Sequence, residues 1–398
     1  MSDQGHAIMV KQFTSKPLPA IHFGLGSIKQ LPSLADSFGK RLLILTGNSL
    51  ISQTNIWDKI TASLIQNNFT LFFSTIVSEP SPEMIDTIVQ DHFPEEIDAV
   101  IAIGGGSVLD AGKAVSAMLT GGDGVENFLE GVGSKKPDGH KIPFIAIPTT
   151  AGTGSEATSN AVITRTGSSG FKKSLRHDNY IPDVALIDPN LMRTCPPDIT
   201  AACGMDTLTQ LVEGFLSTKA SPITDAFSWS GIEAVQHSLL AAFKNGDDLQ
   251  ARSGMAYGSL CSGIVLTNAG LGVVHGMAPV LGSHFMVPHG IVCGTLMAAA
   301  NEASLAHLLE TNGNRQSLSK YTRLGRLFSS REDGSETYYQ EAFIEELYSL
   351  TDRLNLPLLS DFGVTDKDIM KIISQSNSKN NPAVLTAQEM AVLLAKRI

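Results

Sequence analysis

The first half of the chain alternates short, mostly apolar runs with stretches of helical spacing, and this alternation restricts the fold more than any other feature. The apolar runs, each bounded by Gly, Pro or Asn, are Arg41–Thr46, Thr70–Ile76, Ala99–Ile103 and Lys141–Ile147. The segments with helical spacing between them are Leu50–Gln66, Ser81–His92 and Ser107–Leu119. Buried strands joined by helices of this length are typical of a parallel sheet with helices on both faces. We therefore predict an α/β N-terminal domain, with Gly121–His140 as a long surface excursion.

From Asn190 onward the pattern changes to long segments in which apolar residues recur at helical spacing. They start after Pro196–Pro197–Asp198, a sequence that favours the beginning of a helix. The segments are Thr200–Ser217, Pro222–Lys244, Leu249–Leu266, Gly290–Leu309, Glu336–Leu354, Asp366–Ser374 and Ala387–Lys396. We predict an all-helical C-terminal domain of residues 190–398 behind an α/β domain of residues 1–189. A cleft between two domains is a common place for a small ligand.

Composition and charge exclude several classes of protein. With 29 Lys and Arg against 39 Asp and Glu, the net charge of −10 offers no basic surface for nucleic acid. The first residues lack the pattern of a signal peptide, and the longest apolar stretch is interrupted at Asn301 and Glu302. We therefore expect a cytoplasmic protein without nucleic-acid or membrane partners. The four cysteines show no metal-ligand spacing and are expected to be reduced, buried small residues.

A glycine-rich loop directly follows the third apolar run. Gly104–Ser107 precedes a segment of helical spacing that contains Asp110 and Lys113. Glycines allow the backbone to approach a phosphate, and the start of the next helix offers free N–H groups. Leu109 stands where the GxGxxG fingerprint needs its third glycine, so the segment alone fits a tight strand–helix turn as well as a phosphate site.

A second polar loop follows the fourth apolar run. Pro148–Glu156, with the sequence PTTAGTGSE, contains four hydroxyl side chains and two glycines. In open α/β sheets, ligands bind at the carboxyl ends of the strands. Helix capping would also explain such residues, but two such loops after successive strands together favour a nucleotide site.

Candidate metal ligands occur in the helical half. Asp206 and Gln210 lie four residues apart on one face of a predicted helix, with Glu213 close by. His275 and His289 are each followed by glycine, which lets other groups approach. One carboxylate, two imidazoles and a weaker oxygen donor suit a divalent first-row ion with a position left for substrate. Either histidine alone would more commonly be structural.

Taken together, these segments resemble the iron-containing (group III) alcohol dehydrogenase family from about residue 8 to Asn381–Pro382. The matching segments are Phe23–Gly26, Gly104–Ser107 with Asp110 and Lys113, Pro148–Glu156, Asp188–Pro189, Gly204–Gly214, Leu271–Ala278 and Val287–Gly290. The resemblance implies a Rossmann-like dinucleotide-binding domain followed by an all-helical domain, the two-domain architecture also seen in dehydroquinate synthase.

The resemblance also implies roles by position. The residues implied for the pyrophosphate are Gly105, Gly106 and Ser107. Those implied for the nucleotide and nicotinamide are Thr149, Thr150 and Thr153, with Asp110 near the nicotinamide and Lys172 at the ribose. The implied metal ligands are Asp206, Gln210, His275 and His289.

The chain departs from the family pattern at three positions. Gln210 stands where the family has a histidine, so iron, zinc and no metal all remain open. Pro279 stands four residues after His275, where many members have a histidine for proton transfer. Gly47 stands where members that prefer NAD tend to carry Asp, so no carboxylate excludes a 2′-phosphate and we expect NADPH to be accepted.

The function implied by the resemblance is NAD(P)-dependent, metal-assisted oxidation of a small primary alcohol and the reverse reduction of an aldehyde. The catalytic residues would be Asp206, His275 and His289, with Fe²⁺ as the expected ion, Zn²⁺ as its alternative, and a homo-oligomer as the assembly. The rival reading is a metal-independent NAD(P)H reductase resembling maleylacetate reductase. A cyclase of the dehydroquinate synthase type would need more Lys and Arg in the second half, and a non-enzymatic binding protein would not need both loops and the ligand set.

Overall fold

The computed structural model describes residues 12–51, 54–167 and 170–398. Residues 1–11, where no signal-peptide pattern is expected, lie outside the described residues, as do residues 52 and 53 inside the predicted helix Leu50–Gln66. Within the described residues, the chain forms an α/β half followed by a helical half, as the sequence predicts.

The first half is built on a parallel sheet whose strands pair in the order β1-β8-β5-β4-β2-β3. The strands of this half, including two outside the main sheet, are β1 (Ala20–Phe23), β2 (Arg41–Gly47), β3 (Thr70–Ile76), β4 (Ala99–Gly104), β5 (Phe144–Pro148), β6 (Asn160–Arg165), β7 (Phe171–Arg176) and β8 (Val184–Ile187). The central strands β4 and β5 are buried along their whole length, which is why they appear as continuous apolar runs.

Helices cover both faces of this sheet. They are α1 (Leu31–Asp36), α2 (Asn48–Ile51), α3 (Thr54–Gln66), α4 (Pro82–His92) and α5 (Gly106–Met118). One apolar cluster packs α4 and α5 on one face, and another packs α1 and α3 on the other. The predicted excursion contains a short 3₁₀ helix, Val125–Phe128.

Several elements of the α/β half were not anticipated, among them helix α1. β1 and β8 add an edge to the sheet, and β6 and β7 form a separate antiparallel hairpin. β1 is short and mostly exposed, and the hairpin strands mix buried with exposed residues, so neither shows the apolar pattern of a core strand.

The second half is helical throughout its regular elements in the described chain. Its helices are α6 (Pro197–Leu216), α7 (Pro222–Lys244), α8 (Leu249–Ala269), α9 (Val273–Phe285), α10 (His289–Glu310), α11 (Arg315–Phe328), α12 (Glu336–Arg353), α13 (Ile369–Gln375) and α14 (Ala387–Ala395). The sequence did not predict α9 and α11. The helix α9 contains Pro279, which has no N–H to donate to the carbonyl of His275.

The two halves share an apolar contact. Ala185 and Ile187 of β8 pack with Ala256, Leu260 and Ile264 of α8. The domain boundary at residues 189 and 190 falls between β8 and α6 and stays a prediction.

Among the helices of the described residues, none by itself is both long and apolar enough to cross a bilayer. The pair α8 and α9 meets that test only jointly, and it is bent by 102° at the junction.

Candidate functional site

The predicted nucleotide loops lie at the carboxyl edge of the sheet, where the direction of the chain connections reverses. The chain passes from β2 to β3 on one side and from β4 to β5 on the other, so β2 and β4 are neighbours with diverging connections. Ligands of open α/β sheets bind in the crevice at such a point. Gly47 ends β2 and Gly104 ends β4, so both flank this crevice.

The glycine loop opens directly into helix α5. Gly105 is the extended residue before the helix, and Gly106 and Ser107 form its first turn. The first N–H groups of a helix have no partner within it and carry its positive dipole end. The three residues therefore present backbone donors at the sheet edge, where an anionic group can bind.

The two loops lie against each other. A Cβ atom added to Gly106 would lie 2.7 Å from Thr153 Cγ2, and one added to Gly105 would lie 3.3 Å from Thr150 Oγ1. The N–H of Thr149 donates to the carbonyl of Gly104 at 2.9 Å. Gly106 thus leaves no room for a side chain and Gly105 leaves little, and Thr150 and Thr153 form the opposite wall of one shared cradle.

Asp110 and Lys172, both predicted to lie near the nucleotide, form hydrogen bonds with other residues of this chain. The Asp110 carboxylate accepts from Ser155 Oγ at 2.5 Å and from the N–H of Val162 at 2.9 Å. It thereby fixes the second loop to α5. The ammonium of Lys172 on β7 donates to the Glu79 carboxylate at 2.8 Å, so a ribose would have to share this lysine with Glu79.

Helix α6 joins the nucleotide loops to the predicted metal ligands. Thr207 Oγ1 donates to the carbonyl of Gly152 at 3.0 Å. Gly154, at a φ of 62°, packs against Gly263 of α8, where a side chain would collide with backbone. Asp206 immediately precedes Thr207 on α6. The second nucleotide loop therefore contacts the helical half at Thr207, the residue next to the predicted metal ligand Asp206.

Asp206, His275 and His289 come together in space, and a fourth donor joins them. One donor atom from each of these residues and the Sγ of Cys293 all lie within 4.8 Å of one another. The Asp206 Oδ1 atom lies 3.3 Å from His275 Nε2 and 3.6 Å from His289 Nε2. Asp206 Oδ1 is buried and has no hydrogen-bond partner in the described chain. An orphaned carboxylate oxygen between two imidazole nitrogens fits a bound cation.

The cluster opens to solvent on one side. The side chains of Asp206 and His275 are 3% and 5% exposed, whereas that of His289 is 33% exposed. A metal held here would therefore be reachable by a substrate from the His289 side. Sites that keep an open position are catalytic in type, whereas structural sites are closed.

Glu213 orients His275 from behind. Its carboxylate accepts from the N–H groups of Gly272 and Val274 at 2.8 and 2.7 Å, and it lies 2.8 Å from His275 Nδ1. A proton on Nδ1 satisfies this contact and leaves Nε2 directed at the cluster. Such a carboxylate–histidine pair commonly fixes the tautomer of a metal ligand.

The electrostatics of the cluster favour a positive charge at its centre. Burial by itself would lower the pKa of His275, but Cys293 and the Glu213 carboxylate raise it. Burial by itself would raise the pKa of Asp206, but His289 and His275 lower it. Burial lowers the pKa of His289 to about 4, so its imidazole is neutral and able to act as a ligand at neutral pH. A proton or a metal ion can supply the favoured positive charge.

Gln210 lies one turn after Asp206 on α6 and is buried. Its Oε1 has no hydrogen-bond partner among the residues that the structure describes. A free amide oxygen at this position is compatible with the ligand role implied by the resemblance. That role stays a prediction.

The expectation that the cysteines lack metal-ligand spacing is wrong for Cys293. Its Sγ lies 3.5 Å from His275 Nε2 and 3.7 Å from His289 Nε2. The signal was present in the sequence, since Cys293 follows His289 by four residues and therefore shares one face of α10. Of the other cysteines, Cys261 is buried as expected, whereas Cys195 and Cys203 are partly exposed.

The Glu213 contact predicts a measurable loss of metal affinity. We expect Glu213→Gln to weaken divalent-metal binding by about 10–100-fold, because the amide no longer holds His275 with a charge. Glu233→Gln, on α7, is the matched control. Metal affinity is measured by competition with a chelating dye, and thermal unfolding checks the fold. Equal affinities in both variants would show that Glu213 does not position His275.

Comparison with known proteins gives matches along nearly the whole chain. The family model described as "Iron-containing alcohol dehydrogenase" matches residues 19–189, and that of the "Fe-containing alcohol dehydrogenase family, C-terminal" matches residues 200–398. Long-chain-alcohol dehydrogenase 1 of Geobacillus thermodenitrificans is 35% identical over 274 residues, 68% of either chain. Alcohol dehydrogenase 4 of Schizosaccharomyces pombe is 33% identical over 89% of this chain and 81% of its own. The structure of an alcohol dehydrogenase from Oenococcus oeni superposes with a TM-score of 0.86 at 29% identity, covering 96% of this chain and all of that one.

Proposed function

We propose that this chain, which belongs to the iron-containing alcohol dehydrogenase family and is an NAD(P)-dependent alcohol dehydrogenase, interconverts a small primary alcohol and its aldehyde at the Asp206–His275–His289 cluster. The observation that carries this assignment is the position of α6. One of its residues, Asp206, belongs to the candidate metal-ligand cluster. The next residue, Thr207, donates a hydrogen bond to the carbonyl of Gly152 in the second predicted nucleotide loop.

The family implies two bound groups, a divalent ion and a nicotinamide nucleotide, and different residues of this chain would bind each of them. When bound, a divalent ion would supply polarisation of the substrate oxygen, and a nicotinamide would supply the hydride chemistry at the carbon that bears that oxygen. Asp206, His275 and His289 would hold the ion, with Glu213 orienting His275. The first turn of α5 would bind the pyrophosphate, and Thr149, Thr150 and Thr153 would line the nucleotide.

Pro279 affects how the proton of the alcohol leaves. It is exposed on α9, one turn after His275, and has no group that accepts or donates a proton. We infer that the proton passes to water or to a hydroxyl of the nucleotide ribose.

The nucleotide edge predicts that NADPH is accepted. Gly47 ends β2, where a carboxylate would repel the 2′-phosphate of NADP. We expect Gly47→Asp to raise the KM for NADPH at least about tenfold, which corresponds to about 1.4 kcal/mol, while changing that for NADH little. Steady-state kinetics with both coenzymes measures this. Strict use of NADH by the unaltered enzyme would contradict the expectation.

The glycine cradle makes a further prediction. Gly106→Ala is expected to weaken NADPH binding about tenfold or more, because the added Cβ, 2.7 Å from Thr153 Cγ2, forces the two loops apart. Gly121→Ala serves as the control, since a Cβ there meets no atom within 4 Å. Binding is followed by nucleotide fluorescence. A folded Gly106→Ala protein with unchanged affinity would place the nucleotide elsewhere.

The proposed function is tested by metal analysis together with turnover. Protein purified without added metal is assayed for iron and zinc, and NADPH and NADH oxidation is followed with a panel of short aldehydes. About one equivalent of metal, lost together with activity on chelation, supports the proposal. Activity without metal would favour a reductase of the maleylacetate reductase type, which no feature of the described site favours. Assembly as a homo-oligomer and a cytoplasmic location stay predictions, the first of which light scattering tests.

A further inference from the structure

Two residues compete for the position of fourth protein ligand beside Asp206, His275 and His289. Gln210 is the candidate from its position in the family pattern, and it offers a neutral amide oxygen. Cys293 is the candidate from the structure, and it offers a thiolate. The two differ in charge and in chemical softness, and these properties govern which ions bind.

The donor–donor distances fit a tetrahedral ion that includes Cys293. With metal bonds of about 2.0–2.3 Å, neighbouring donors of a tetrahedral site lie about 3.3–3.7 Å apart. The Cys293 Sγ atom lies 3.5 and 3.7 Å from the Nε2 atoms of His275 and His289. The Asp206 Oδ1 atom lies 3.3 and 3.6 Å from the same two nitrogens. These four distances all fall in the tetrahedral range.

The local structure holds the thiol in place. Cys293 is fully buried on α10, one helical turn after His289, so both side chains project from the same face of a 22-residue helix. Glu213 fixes the ring of His275 opposite them. Once a bound ion had displaced the thiol proton, a carboxylate and a thiolate would together carry two negative charges, which would balance the two positive charges of the ion in this buried place.

We propose that Cys293 coordinates the divalent metal through its sulfur and completes an Asp206–His275–His289–Cys293 ligand set in place of Gln210. The inference rests on the metal site of the proposed function and deepens it. A substrate oxygen would enter as an additional ligand from the exposed His289 side. Sites that contain a thiolate favour zinc more strongly than sites built only from nitrogen and oxygen donors, and the proposed ligand set is of the first kind.

The test reads the metal spectroscopically and needs no substrate. Metal-free enzyme is loaded with cobalt(II), and a thiolate-to-cobalt charge-transfer band is sought in the near ultraviolet. The band is expected in the unaltered protein and in Gln210→Ala, and it should disappear in Cys293→Ser. Zinc affinity should fall about 100-fold or more in Cys293→Ser, because losing an outer partner alone costs 10–100-fold.

The possible results distinguish metal coordination by Cys293 from a purely structural role of its thiol. Cobalt bound without the band, a band that persists in Cys293→Ser, or failure of the unaltered protein to bind cobalt or zinc would each overturn the proposal. If Cys293→Ser does not fold, X-ray absorption of the unaltered zinc protein decides, with a sulfur neighbour at about 2.3 Å expected and its absence contradicting the proposal. A sulfur ligand found in a protein that turns over no alcohol would refute the proposed function alone. Alcohol turnover with no sulfur ligand would refute this inference alone.

Discussion

His275→Ala is expected to lower kcat about 10³-fold and to abolish stoichiometric metal binding, because several kcal/mol of transition-state stabilisation depend on the ion. His275 lies at the centre of the cluster, with Nε2 3.3 Å from Asp206 Oδ1 and 3.5 Å from Cys293 Sγ. Its removal leaves the Asp206 carboxylate and the Cys293 thiol without the side chain that lies between them. Turnover and elemental analysis of the same preparation measure both effects.

The control for this variant is His140→Ala. The His140 side chain is 79% exposed and lies in the surface excursion, away from the cluster. We expect it to keep metal and activity. Thermal unfolding of both proteins separates loss of the site from loss of the fold. We expect His275→Ala to fold, because Glu213 retains its hydrogen bonds from the N–H groups of Gly272 and Val274. A folded His275→Ala enzyme that still binds metal and turns over alcohol would refute the assigned role.

Lys113→Met is expected to lower the free energy of unfolding by about 3–5 kcal/mol, the cost of removing one partner from a buried charged network. Lys113 is 1% exposed, and its ammonium donates to the carbonyls of Ser155 and Asn160 and to Thr158 Oγ1 at 2.7–3.0 Å. The ammonium also lies 3.8 Å from the Asp110 carboxylate. Methionine fills similar space but leaves these acceptors unpaired.

The measurement for Lys113→Met is urea unfolding beside an exposed control, Lys59→Met on α3. Lys59 is solvent-exposed, so its replacement is expected to change the free energy of unfolding by less than about 0.5 kcal/mol. Equal stability of the two variants would show that the Lys113 network contributes nothing net.

The stability deficit of Lys113→Met also depends on pH. Burial lowers the pKa of Lys113 from 10.5 to about 8, so between these values the unfolded chain holds a proton that the folded chain has lost. Raising the pH across this window therefore stabilises the unaltered protein relative to the variant, which lacks the group. We expect the deficit to be larger at about pH 10 than at about pH 8, and a constant deficit would contradict the lowered pKa.

Burial explains only part of the success of the fold prediction, since the largely exposed β3 was predicted as a strand and the fully buried but four-residue β8 was missed. β2, β4 and β5 are enclosed by helices on both faces, so selection for apolar residues makes them visible as continuous runs. β1 has only four residues, most of them exposed, and the hairpin β6–β7 is only half buried. Their pairing depends on partners far away along the chain, and no local pattern encodes it.

The sequence by itself determined the class of fold, and it predicted two nucleotide loops and four candidate metal ligands, because glycines in tight turns and histidines beside glycine are local features. Tertiary structure alone decided which donors meet. Asp206, His275 and His289 come from three helices separated by up to 83 residues, and only packing brings Cys293 to 3.5 Å from His275 Nε2 and Glu213 to its Nδ1. Coordination depends on distances between atoms, and those distances are set by how helices pack rather than by spacing along the chain.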